Sequence, residues 1–279
     1  MIIDTHTHFY DPFRPQGVPW PPKENKALYR TVLPEHLKPL AAPAGVTGTV
    51  VVEASRWPED NQWILDLAEN DPFIVGFVGN LAPNRPTFGA ELARLAENPL
   101  FRGIRVGGNF LADVEAGSFL ADVALLAMHD LSLDVLIGET AFAGLDSLAE
   151  RVPQLRIVVN HVGNMPIDGA PLSAAWTERF RSAAAHPNVF MKVSGLLENS
   201  RVQPASADVN FYRPLLDCLW ECFGEERLIF GSNWPVCEPA GSYATCVAIV
   251  RSYFGEKGED ASANYFWRNA QNVYKWRSR

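Results

Sequence analysis

Cysteine is scarce: four in 279 residues, with no Cys-x-x-Cys pair. Cys218 and Cys222 stand four apart in a helical-looking stretch, without the spacing or the nearby histidines of a zinc site. All four, with Cys237 and Cys246, are expected as reduced thiols packed as small hydrophobes. No uncharged apolar run is long enough to span a bilayer. The chain opens directly on Met1-Ile2-Ile3-Asp4, with no basic region or apolar core of a signal peptide, so a cytoplasmic location is expected. No G-x-G-x-x-G or Walker sequence follows any strand-like run, which argues against a nucleotide-binding open sheet. Positive charge is also short. Lys and Arg total 24 against 32 Asp and Glu, a formal net charge of −8. That balance argues against nucleic acid and anionic membrane as partners, and favours a small-molecule substrate.

What is present reads as one domain over residues 1–279. The chain is 47% hydrophobic and 20% charged, ordinary for a globular protein. Short β-branched runs alternate with amphipathic stretches. Strands are expected near residues 2–7, 47–53, 74–80, 101–106, 133–137, 156–161, 189–194 and 227–234, most followed by a helix. A last helix is expected from Ser262 to Trp276, with Tyr265, Phe266, Ala270, Val273 and Tyr274 facing the core. Continuous Val and Ile runs mark parallel strands covered on both faces. Eight β/α units in this length predict an α/β fold closed as a (β/α)8 TIM barrel.

In such a barrel the C-terminal strand ends face the active site. Those ends carry an unusual set of polar groups. His6 and His8 stand at i and i+2 on strand one, a spacing that points both rings the same way. Glu53 ends strand two, Arg105 lies near the end of strand four, and His161 ends strand six. Lys192 and Ser194 lie on strand seven, and Ser232 and Asn233 follow strand eight. Converging imidazoles can bind a metal, or can hold and polarise an oxygen of a substrate. Arg105, Lys192 and Glu53 are the candidates to anchor a polar substrate. His36, His129 and His186 fall on helices and are expected as surface or capping residues. The Pro- and aromatic-rich segment from Phe9 to Asn25 is expected either to cover a pocket or to pack on the surface.

The ordered set of motifs resembles the amidohydrolase superfamily. It is most similar to the amidohydrolase-related lactonase branch, which includes L-fuconolactonase and 2-pyrone-4,6-dicarboxylate lactonase. The residues that carry the likeness are Asp4 to His8, Val158 to Asn164, Met191 to Gly195, Arg227 to Val236, and Asn269 to Tyr274. The resemblance implies a (β/α)8 barrel with His6, His8, His161 and the residue at 233 as catalytic groups. It also implies hydrolysis of a small lactone. His6, His8 and His161 are then either ligands of zinc or another divalent metal, or direct hydrogen-bonding groups.

One position departs from the pattern. The family usually carries Asp after strand eight, as metal ligand or general base, and this chain has Asn233. An amide does not accept a proton at neutral pH, so Asn233 is not the general base, although its carbonyl oxygen can hydrogen-bond a water or bind a metal. Either another group acts as base, with the histidines best placed, or the chain has a different reaction or none, or the Asn has been introduced to trap a substrate. Two rival readings follow. One is a metal-dependent decarboxylase of a small aromatic or unsaturated acid. The other is a barrel that binds a ligand without catalysis.

Overall fold

The computed structural model describes residues 1–276. Eight parallel strands neighbour one another in sequence order: β1 (Ile3–Thr7), β2 (Gly48–Val52), β3 (Ile74–Gly79), β4 (Phe101–Gly107), β5 (Ser132–Leu136), β6 (Arg156–Val159), β7 (Val189–Val193) and β8 (Leu228–Phe230). The sheet closes where β8 returns to β1. There Asn233 N donates to His6 O at 2.8 Å and His8 N donates to Trp234 O at 2.9 Å. This is the (β/α)8 barrel that the strand count predicts.

The outer ring holds α1 (Pro34–Ala41), α2 (Glu59–Asn70), α3 (Phe88–Ala96), α4 (Phe119–Met128), α5 (Phe142–Arg151), α6 (Ala174–Ala185), α7 (Val209–Phe223) and α8 (Tyr243–Glu256). Each sets an apolar stripe on the outer face of the barrel; α3, for example, buries Phe88, Leu92 and Leu95. β2 and β3 bury every residue and β6 all but one, as their unbroken Val/Ile runs require, while β4 leaves Arg102, Arg105 and Gly107 partly buried.

The expected C-terminal helix is present and buries its expected core residues, with one wider turn: α9 (Glu259–Ala263) continues through a π-helical turn over Asn264–Arg268 into α10 (Asn269–Tyr274). The wider turn lets Tyr265 and Phe266 pack on Phe230 while α10 still turns inward. Ala270, Val273 and Tyr274 then join Ile3, Val50, Val52, Val158 and Ile229 in an interior cluster that plugs the barrel.

Candidate active site

The expected histidines meet. The rings of His6 and His8 are 5.0 Å apart between centroids, and His6 and His161 are 4.2 Å apart. Close backbone approach makes room for them. A Cβ placed on Gly231 would lie 2.7 Å from the Cβ of His6, so only glycine lets β8 pass there. His161 begins a left-handed run, with φ of 52° at His161, 47° at Val162 and 52° at Asn164; Asn233 has φ of 61°. Left-handed backbone at a β-branched residue such as Val162 is costly, about 1–3 kcal/mol, and such costs gather at functional sites.

Hydrogen bonds decide what each ring offers. Lys192 Nζ donates to Thr5 O at 2.9 Å, to Asp134 Oδ2 at 2.8 Å and to His6 Nδ1 at 3.3 Å. Burial lowers the pKa of Lys192, but the Asp134 carboxylate at 2.8 Å opposes this and holds it as an ammonium; with three protons and no lone pair it donates to all three acceptors, and Nδ1 of His6 accepts. The ring proton of His6 therefore sits on Nε2, a buried atom with no protein partner. His161 Nδ1 lies 2.9 Å from Ser194 Oγ, which already accepts from the His161 backbone N–H. When the hydroxyl donates to Nδ1, the ring proton of His161 sits on Nε2. His8 is the reverse. Its Nδ1 lies 2.9 Å from Val52 O, which can only accept, so Nδ1 carries the proton and Nε2 is bare.

All three rings are held neutral near pH 7. Burial pushes His6 and His161 well below the usual histidine range. Burial and then the Arg105 charge lower His8 to about 3.

A cavity of about 530 Å³ opens over this floor, within the range of roughly 300–1,000 Å³ typical of small-molecule sites. His8, His161 and Asn233 line one side, and Glu53, Arg56 and Arg105 the other. Arg105 is tied to Glu53 by a 2.8 Å ion pair and also donates to Glu53 O. The two expected anchors thus form one unit. Trp20, from the Pro-rich segment, lies over the cavity with its ring 6.0 Å from His8, so that segment does cover the pocket.

Lys192 needs correction. It is expected as a substrate anchor, but its side chain is fully buried in the barrel interior beneath His6. The reason is its partner: Asp134 on β5 points inward at the same level and also accepts from Asn160 Nδ2 and Tyr274 OH. Asp134 and Glu198 are functional candidates that strand-end reasoning misses. Asp134 is legible only as an acid inside a buried strand. Glu198 sits in the loop after β7, in no recognisable spacing. Its Oε1 accepts a hydrogen bond from Asn233 Nδ2, and its Oε2 is buried with no partner. The three remaining histidines are peripheral as expected; His36 Nδ1 caps the start of α1 by accepting from Leu33 N.

The donor set fits a resident divalent cation poorly. Ligation needs an Nε2 lone pair on His6, where Lys192 holds the ring proton. The position after β8 offers an amide instead of a carboxylate. The charges acting on the three rings are the cations Lys192 and Arg105. Among the described residues, no group of three or more His, Cys, Asp or Glu side chains is arranged to hold a metal ion.

Residues 3–276 match a family model described as amidohydrolase. An L-fucono-1,5-lactonase of Burkholderia ambifaria is 35% identical over 98% of this chain and 95% of its own length. An amidohydrolase of Burkholderia multivorans has been solved with bound HEPES, and this chain superposes on it with a TM-score of 0.88 at 25% identity, over 99% of this chain and 100% of that one. A crystal form with bound zinc gives 0.86 at 26% identity over the same shares. A dihydroxybenzoic acid decarboxylase of Polaromonas, with bound manganese, is more distant: TM-score 0.65 and 14% identity, over 98% of this chain and 96% of that one.

Proposed function

The chain belongs to the amidohydrolase family, and on that premise we propose that it is a hydrolase opening the ring ester of a sugar lactone. The observation that carries the reading is the end-to-end 35% identity to a lactonase. The site's chemistry supports it. The decarboxylase likeness is one of fold alone, and no feature of the cavity favours it.

The lactone carbonyl is set against the Nε2–H of His161, which lines the cavity and stabilises negative charge as it develops on that oxygen, while the buried His6 ring packs behind it at 4.2 Å. His8 is the base. Its bare Nε2 takes a proton from water as the water oxygen attacks the carbonyl carbon. The tetrahedral intermediate then collapses: the bond to the ring oxygen breaks, and the imidazolium of His8 returns its proton to that oxygen. The products are one hydroxyl and one carboxylic acid, which ionises and releases a proton to solvent. The Arg105–Glu53 pair and Arg56 offer donors and acceptors to the sugar hydroxyls, and Trp20 excludes bulk water. No step uses a metal.

The test is proton release from a panel of sugar 1,5- and 1,4-lactones. Ring opening above the uncatalysed rate is expected for at least one hexono- or pentonolactone. Carbon dioxide release from small aromatic acids, without lactone turnover, would overturn the reading.

A further inference from the structure

The contact between His8 and Asn233 is short of a proton. His8 Nε2 is bare, because Nδ1–H is committed to Val52 O. Asn233 Oδ1 lies 3.1 Å from it, and an amide oxygen also only accepts. Two acceptors at hydrogen-bonding distance repel. The other end of the amide, Nδ2, is committed to Glu198 Oε1. The amide's two ends have nearly the same shape, so the network decides which way it faces. Two arrangements satisfy both Asn233 and His8. With Glu198 protonated, the acid O–H donates to Asn233 Oδ1 and Nδ2 turns to donate to His8 Nε2. With Glu198 ionised, Nδ2 donates to the carboxylate, and Oδ1 and His8 Nε2 aim their lone pairs at one place, where a water molecule donates a proton to each.

We propose that Glu198 is a positioning residue for water activation: ionised, it turns the Asn233 amide so that His8 and Asn233 together hold the attacking water, and protonated, it turns the amide so that Nδ2 caps the base. Glu198 thereby supplies, from one residue further back, the negative charge that Asn233 lacks. A carboxylate behind the amide also raises the basicity of His8, which its surroundings otherwise depress. The proposal rests on the lactonase reading.

The surroundings suit a group that titrates in the working range. Glu198 Oε2 is buried without a partner, which disfavours the charged form, and burial pushes the carboxyl up to about 7 against the opposing donors, its own backbone N–H and Asn233. The ionisable groups near enough to feel its charge are Tyr212 on α7, Cys237 after β8 and Cys246 on α8. Burial raises all three, so they stay neutral while Glu198 titrates.

The experiment is the pH profile of lactone kcat/KM for the wild type and for Glu198→Gln. In the wild type, kcat/KM is expected to fall about tenfold per pH unit below neutrality, as one required ionisation dictates. A glutamine amide either donates to or accepts from Asn233 at any pH. The Glu198→Gln profile is therefore expected to be flat within about twofold from roughly pH 5.5 to 8. A variant that keeps the wild-type limb overturns the proposal while leaving the lactonase reading intact. Absence of wild-type turnover overturns both. The wild type carries a second, independent measurement that needs no variant: the titration of its 13C-labelled glutamate carboxyls by NMR. One resonance titrating with the midpoint of the activity limb is expected, and an activity midpoint that no glutamate shares overturns the proposal.

Discussion

Changing Asn233 to Asp replaces one NH2 by one oxygen and leaves the shape almost untouched. The new carboxylate accepts protons that the amide cannot, so Asn233→Asp is expected to raise kcat on the best lactone, by up to about 10²-fold, the lower end of general-base contributions. Steady-state kinetics check this; a fall in kcat would mean that the amide itself is required. His8 carries the opposite expectation. His8→Phe removes the one bare imidazole nitrogen among the three site histidines, and a loss of about 10²–10⁴-fold in kcat, with little change in KM, is expected. At this scale the sequence was partly legible. His6, His8, His161 and Asn233 stood out because strand ends in a barrel face the site. Their tautomers were not legible, since those depend on Lys192, Val52 O and Ser194, distant in sequence. Glu198 was invisible for the same reason: a loop acid acquires meaning only when folding brings it to Asn233.

Among elements, β5 and β7 bind the floor of the site to the barrel interior. The Lys192–Asp134 pair has no solvent exposure on either side chain. Removing one partner strands a buried charge, so Lys192→Met is expected to cost about 3–5 kcal/mol of stability, and pairing it with Asp134→Leu should recover much of that loss. Urea denaturation of the two single variants and the double variant measures this. A double variant no more stable than Lys192→Met alone would contradict it. The eight strands and the order of the helices were legible from β-branched runs alternating with amphipathic stretches, because local pattern alone specifies them. The π-helical turn in the C-terminal helix was not. It comes from the need to bury Tyr265 and Phe266 against β8 while α10 plugs the barrel, a tertiary demand with no local signature.

The whole molecule carries three neutral buried imidazoles, and this sets its response to acid. Each has a folded-state pKa below its unfolded value near 6.5. Below that pH the unfolded chain takes up protons that the folded chain refuses, so stability is full above about 6.5 and is lost as pH falls toward the folded values. Glu198, Asp4 and Glu53 have the opposite sign: burial raises each carboxyl, so their contributions are present at low pH and lost as pH rises through the raised values. The histidine part is isolated by His161→Gln, whose urea midpoint is expected to lose less than that of the wild type as pH is taken from 7 to 5. A variant with the wild-type pH slope would mean that His161 is charged in the folded state.

The reading of the site as a metal-free lactonase depends on His161 presenting an N–H group to the substrate and on His6 keeping its proton on Nε2 behind it. The most direct measurement is lactone ring opening by chelator-treated protein, with metal content determined on the same sample. Full activity with far less than one equivalent of zinc, manganese or iron per chain is the expected result. Activity that disappears with the metal and returns in proportion to added zinc would contradict it, and would make the three histidines ligands.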